Sequence, residues 1–149
     1  MPLEEYKKKR DFNKTSEPEA KEKKGEENRF VIQEHWASNH HFDFRLEVEG
    51  VLKSWAVPKG VPEKEGVKRL AIQTEDHPVD YIDFEGEIPE GQYGAGKVKI
   101  FDKGKFELIE KTKGKMVFFL KGEELKGEYA LIKMKESNQW LIFKTDQKN

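Results

Sequence analysis

The chain has 149 residues, with 28 Lys and Arg against 29 Asp and Glu, four His and no Cys. That length suits one domain with a real core, and the lack of cysteine excludes disulfides, thiolate nucleophiles and sulfur-ligated metals, so any metal must sit on His, Asp and Glu. The balanced charge gives no global sign of a nucleic-acid partner, no long apolar run is present to span a membrane, and no signal-peptide pattern opens the chain; the expectation is a soluble, cytoplasmic protein.

Residues 1–28 stand apart from the rest. The stretch "EEYKKKRDFNKTSEPEAKEKKGEEN" is polar, carries only Tyr6 and Phe12 as large anchors, and has no sustained period. Such a composition buries little and predicts a solvated arm. The alternative is that "RDF" pins the arm to the body through Phe12 and delivers Arg10 and Asp11 to it.

From Arg29 onward the pattern is that of strands. "RFVIQEH" is rich in β-formers, and "HFDFRLEVEG" alternates strictly. Phe42, Phe44, Leu46 and Val48 fall on one face, with His41, Asp43, Arg45, Glu47 and Glu49 on the other. "GVLKSWAVP", "KRLAIQTE", "YIDFEGEI", "GKVKIFDKGKFELIEK", "KMVFFLKG" and "GEYALIKMK…NQWLIFKT" read as further strands, with Gly50, Gly60, Gly86, Gly104, Gly122 and Gly127 as turn punctuation. No segment after residue 28 has a helical period. The predicted fold is mainly β, a small closed or nearly closed antiparallel barrel over residues 29–149.

Three of the four histidines lie in "HWASNHHFDFRLE", residues 35–47. Residues two apart on a strand share a face at a spacing of about 6.5 Å. His41 and Asp43 therefore project together, and Arg45 follows on that face, suited to an anionic oxygen. A bend through Ala37, Ser38 and Asn39 can return His35 to the pair. Two imidazoles and a carboxylate suit Mn, Zn or Fe with open positions for water and substrate. The same pattern also describes an exposed strand face with cross-strand ion pairs. His40 has the opposite parity and is expected as a packed or boundary residue. In "TEDHPVDY", His77 precedes Pro78 and is held extended. It either caps a turn or serves as an acid or transition-state donor near neutral pH. "GQYGAGKV", residues 91–98, matches most of the phosphate-binding G-x-x-x-x-G-K pattern. Val98 replaces the required Ser or Thr, and a strand follows instead of a helix, so the segment is expected as a Gly-rich hairpin.

The segments "QEHWASNHHFDFRLEVEGVLKSWAVPKG", "KRLAIQTEDHPVDYIDFEGEIPEGQYGAGKVKIFDKG" and "LKGEELKGEYALIKM…WLIFK" together resemble the 3′-phosphoesterase domain of bacterial DNA ligase D, over residues 10–144. The resemblance implies a β-barrel enzyme that heals 3′ ends in break repair. Such an enzyme removes a 3′-terminal ribonucleoside, then hydrolyses the remaining 3′-phosphate to a 3′-hydroxyl. It implies Mn2+, with Zn2+ or Co2+ as alternatives, on His35, His41 and Asp43. Catalytic roles carry over to Arg45, His77, Tyr81 and Asp11. Substrate or phosphate contacts carry over to Arg10, Glu17, Gln33, Lys59, Arg69 and Glu75. The implied partners are DNA or RNA/DNA primer-template 3′ ends and a separate ligase and polymerase, in the cytoplasm at the nucleoid. The arm, 1–28, is then expected as a short helical or irregular segment, partly ordered over the site. Trp36 and His40 depart from the family pattern; both are expected as local core or rim substitutions, the alternative being that Trp36 offers a stacking surface for a terminal base. A competing reading is a non-enzymatic module that grips DNA ends. A small-molecule metalloenzyme on a barrel is a third, opposed by the cations Arg10, Arg45, Lys59 and Arg69.

Overall fold

Alternating apolar residues give each strand of this chain one face to bury, and the sheet answers by closing on itself. The computed structural model describes residues 3–20, 28–135 and 137–145. Residues 21–27 of the polar arm lie outside them. Within the described residues one short helix, α1 (Glu4–Lys8), precedes ten strands: β1 (Arg29–Trp36), β2 (His40–Val48), β3 (Val51–Val57), β4 (Lys68–Gln73), β5 (His77–Pro78), β6 (Gly86–Ile88), β7 (Gly96–Thr112), β8 (Lys115–Gly122), β9 (Lys126–Lys133) and β10 (Gln139–Lys144). Pairing runs β1-β2-β3-β4-β10-β9-β8-β7, and β7 returns to β1, which closes an eight-stranded antiparallel barrel. β5 adds to β3, and β6 adds to β7. No helix among the described residues is long and apolar enough to cross a membrane.

The interior is filled by the inward alternates, among them Phe30 and Ile32 of β1, Phe44 and Leu46 of β2, Trp55, Phe106, Phe118, Tyr129 and Leu131. A second apolar cluster lies on the outer face. Val31, Leu52 and Val98 meet Tyr81, Ile82 and Phe84 there, and Tyr6 of α1 is wholly buried against them with Phe12 beside it. This outer cluster anchors residues 3–20 on the barrel together with polar contacts of Lys9, Arg10 and Glu17 to Glu75 and Tyr81. Burial of two aromatics there offsets the ordering entropy that a polar segment would otherwise fail to meet.

Two expectations differ in detail. "YIDFEGEI" is not one strand: Val79–Asp83 forms a 3-10 turn, and only Gly86–Ile88 pairs. Pro78 enters that turn extended and lacks an N–H for the ladder, so the chain leaves the sheet at this point. Gly104 is not a turn but lies inside β7. A Cβ there would stand 2.2 Å from the Lys121 carbonyl oxygen on β8, so its role is close approach of two strands. "GQYGAGKV" does connect antiparallel β6 and β7, as a Gly-rich hairpin should.

Candidate active site

The site occupies the outer face of β1 and β2, roofed by residues 3–20 and the 3-10 turn. Register decides its composition. On the β1–β2 ladder His35 stands opposite His41 and Gln33 opposite Asp43, with Arg45 opposite Val31. The bend at Ala37–Asn39 is therefore a hairpin turn that returns His35 to the cluster.

His35, His41 and Asp43 present one ligand atom each, all within 4.8 Å of one another. Each ring is oriented by a backbone carbonyl. His35 Nε2 is 2.7 Å from the Gly94 oxygen, which assigns its proton there and turns Nδ1 to Asp43 Oδ2 at 3.4 Å. His41 Nδ1 is 2.9 Å from the Asn39 oxygen, leaving Nε2 at 3.1 Å from Asp43 Oδ1. Two imidazole lone pairs thus converge on one carboxylate. Three acceptors at such range need a proton or a cation between them, and outer carbonyls that orient ligand histidines are a regular feature of metal centres. The donor set fits a divalent first-row ion. Burial alone would raise the Asp43 pKa, yet the Arg45 guanidinium holds its carboxyl far below the usual range. Burial opposes a charge on His41, but Asp43 outweighs it and raises the His41 pKa.

Arg45 is buried beside this group. Its Nε donates to Gln33 Oε1 at 2.6 Å, and one terminal nitrogen lies 3.5 Å from Asp43 Oδ2. Gln33, itself fully buried, donates to the carbonyls of Tyr81 and Phe84. The 3-10 turn therefore sets the guanidinium through Gln33. The other terminal nitrogen, Nη1, is buried without a hydrogen-bond partner. A buried unpaired donor costs about 1–3 kcal/mol, a standing penalty beside the ligand group.

Residues 3–20 bring a second guanidinium. Arg10 lies over the Tyr6 ring at 3.8 Å, donates Nε to Glu17 at 3.0 Å, and meets Glu75 at 3.2 Å. Burial works against the Arg10 charge, and Glu17 more than restores it. Glu17 also accepts the Tyr81 hydroxyl at 2.6 Å and the Thr15 hydroxyl at 3.0 Å. The Tyr81 ring carries Arg45 at 4.8 Å. Burial, aided by Glu17, keeps that phenol protonated well above its ordinary pKa. Lys9 bonds Glu75 at 3.3 Å.

His77 completes the wall. Its Nδ1 faces the Glu75 carbonyl at 2.9 Å and Ser54 Oγ at 3.3 Å, and its Nε2 lies 3.4 Å from an Arg10 nitrogen. Burial, then Arg45 and Arg10, push the His77 pKa well below the ordinary value, so the ring is neutral. Arg10, Glu17, His35, His41, Asp43, Arg45, Glu75, His77 and Tyr81 all line one cavity of about 260 Å³. Gln33 supports it from behind.

Three other residues singled out from the sequence lie elsewhere. Asp11 is exposed, and its carboxylate accepts the Asn13 N–H at 3.1 Å, closing a turn. Lys59 and Arg69 line a separate cleft at the barrel mouth, where Arg69 donates to the carbonyls of Lys59 and Gly60. Several site groups escaped sequence reasoning. The Gly94 and Asn39 carbonyls, Ser54 and Thr15 act through backbone or short polar contacts that no spacing announces. Tyr93 lines the cavity from the β6–β7 loop.

The family model for the DNA ligase D 3′-phosphoesterase domain matches residues 33–133. The multifunctional non-homologous end joining protein LigD of Pseudomonas aeruginosa is 46% identical over 154 residues, covering 96% of this chain and 18% of that protein. The LigD DNA repair protein of Mycobacterium tuberculosis is 48% identical over 145 residues, covering 93% of this chain and 19% of the relative. LigD of Mycolicibacterium smegmatis is 45% identical over 161 residues, covering 99% and 21%. The chain thus spans about a fifth of the length of these relatives. By the family model and by identity over nearly its whole length, the chain belongs to the DNA ligase D 3′-phosphoesterase domain family.

Proposed function

We propose that this chain is a metal-dependent phosphoesterase that heals 3′ ends in DNA repair. It removes 3′-terminal ribonucleosides and 3′-phosphates from DNA or RNA/DNA primer-templates and leaves 3′-hydroxyls for a separate ligase and polymerase. The observation that carries this reading is the buried, unpartnered Arg45 Nη1 beside the His35/His41/Asp43 group. That pairing offers a phosphate a guanidinium on one side and a cation site on the other. Family membership adds the ester class and the 3′ end.

His35, His41 and Asp43 would hold the ion, with Mn2+ suited to imidazole and carboxylate and Zn2+ or Co2+ as substitutes. When bound, it supplies Lewis-acid polarisation of a phosphate oxygen. Arg45 and Arg10 bind the remaining phosphate oxygens and gain strength as negative charge develops. Gln33, Glu17 and Glu75 keep both guanidinium planes in place, which is the positioning that phosphoryl transfer requires most. Tyr81 donates its hydroxyl hydrogen bond to Glu17, so it acts through its ring on Arg45. Neutral His77, with Nε2 near Arg10, takes a proton from the attacking water as the bond from phosphorus to the departing ester oxygen breaks and that oxygen takes up a proton from solvent.

The test is a time course on a primer ending in one ribonucleotide, resolving the 3′-phosphate from the 3′-hydroxyl. Conversion in Mn2+ with 3′-phosphate as intermediate is expected. Arg45→Lys keeps charge but loses the planar fork, and should slow turnover about 100-fold. Wild-type rates in His41→Ala or Asp43→Ala would overturn the reading, and DNA binding without turnover would leave an end-binding module.

A further inference from the structure

The face of β1 and β2 opposite the metal group carries a row of aromatic rings that the chemistry above does not use. Trp36 and His40 form a cross-strand pair adjacent to the His35/His41 pair and point to the other side. Their rings stack at 5.5 Å with an interplanar angle of 13°. His40 continues to Phe42 at 5.5 Å, and Phe42 to Phe101 at 5.6 Å. Trp36 is 40% exposed and Phe101 39%, against almost complete burial for the other aromatics of the barrel interior.

Exposure of Phe101 has a structural cause. The β1–β7 register jumps from Ile32↔Asp102 to Gln33↔Ile100, so Phe101 is the extra residue of a β-bulge. Bulges re-aim side chains, and this one sets Phe101 edge-on to Phe42 at the barrel mouth. Phe42 and Phe101 line a cleft of about 370 Å³ together with Lys59, Lys64 and Arg69. Lys97 lies over the Trp36 ring at 5.9 Å. Acidic groups are present as well: Glu63 lines the cleft, and Glu34 holds His40 at 2.8 Å.

A continuous run of rings beside cations is the surface on which unpaired bases stack while phosphates follow the charges. We propose that this mouth is a stacking groove for unpaired nucleobases next to the 3′ end, with Trp36, His40, Phe42 and Phe101 taking bases and Lys59, Lys64 and Arg69 taking phosphates. The placement beside an end rests on the proposed function; the base binding does not. Ala37, the neighbour of Trp36 in the chain, lines the cavity that holds Arg45, so the two faces meet at the Ala37–Asn39 turn. Bases can come from the terminus of the processed strand or from an overhanging template.

Intrinsic fluorescence tests the groove directly, because Trp55 and Trp140 are buried and Trp36 is the exposed tryptophan. The full chain is titrated in EDTA, so that no turnover occurs, with short oligothymidylate and with an abasic strand of equal length. Saturable quenching by oligothymidylate, and binding about tenfold weaker for the abasic strand, are expected. Read instead by anisotropy of an end-labelled oligothymidylate, Trp36→Ala and Phe101→Ala should weaken binding about tenfold, and Trp36→Tyr should restore most of it. Equal affinity for the two strands, or unaltered binding by both alanine variants, overturns the groove. Primer-templates abasic either at the primer terminus or in the overhang then identify the source, by which one loses quenching. A protein that fails to release phosphate yet distinguishes the two strands keeps the groove and loses the phosphoesterase reading.

Discussion

Glu17 accepts the hydroxyl of Tyr81 at 2.6 Å across 64 residues of chain, and with the same oxygen accepts Arg10 Nε. One buried carboxylate thereby joins the amino-terminal residues, the 3-10 turn and, through the Tyr81 ring, Arg45.

Removing that carboxylate should be costly. Glu17→Ala leaves Arg10, whose side chain is 4% exposed, with Glu75 as its remaining carboxylate and leaves the Tyr81 hydroxyl unpaired. Breaking one partner of a buried ion pair costs about 3–5 kcal/mol. Glu17→Gln keeps an acceptor and should lose less. Urea unfolding reads both, and a wild-type midpoint for Glu17→Ala would show that the arm is not held by this contact.

Metal binding should appear as stabilisation of the fold. An ion present at about 100 times its Kd adds roughly 2.7 kcal/mol by mass action. Mn2+ is expected to raise the Tm of the wild-type chain, and to leave His41→Ala and Asp43→Ala unmoved. An equal rise in all three would place the ion elsewhere.

His77 gives the fold a pH dependence of definite sign. Its folded pKa is pushed well below 6.5 by burial and by Arg45 and Arg10, whereas the unfolded ring titrates near 6.5. The unfolded state then binds the extra proton, so this contribution is complete above about 6.5 and is lost as pH falls toward the folded pKa. His41, with its pKa raised, has the opposite sign: its contribution is present below 6.5 and lost as pH rises through its folded value. His77→Gln should therefore flatten the fall of Tm on the acid side and leave the alkaline side alone. Parallel Tm profiles for variant and wild type would remove His77 from the balance.

Much of the architecture was legible because its signals are local. Period-two alternation in "HFDFRLEVEG" separated Phe42, Phe44 and Leu46 from His41, Asp43 and Arg45, and the barrel uses those two faces as inside and outside. Long runs such as "GKVKIFDKGKFELIEK" met few competing signals and form β7. "YIDFEGEI" misled because Tyr, Ile and Phe favour strands, while the missing N–H of Pro78 and burial of Tyr81 and Ile82 on the outer cluster favour a turn. The cavity itself was less accessible. Arg10, His77 and Arg45 belong to distant segments, and only the family resemblance linked them before the fold was known. Asp11 sits next to Arg10 in the chain yet faces solvent, because neighbours in an irregular segment have no common direction. No pattern pointed to the carbonyls of Gly94 and Asn39, since backbone acceptors carry no residue identity.

The β1–β2 hairpin has a consequence for how this chain tolerates change. Its two faces carry different assets, ligands outside and rings inside, in directly adjacent pairs. A slip of one residue would exchange the faces and ruin both at once. The register is pinned at the far edge: a Cβ on Gly96 would stand 2.1 Å from the Trp36 carbonyl, so β7 approaches the hairpin end too closely for any other residue. Single-residue insertions or deletions in 35–42 should therefore be far more damaging than most substitutions there, and Gly96 acts as the caliper that sets the hairpin's length.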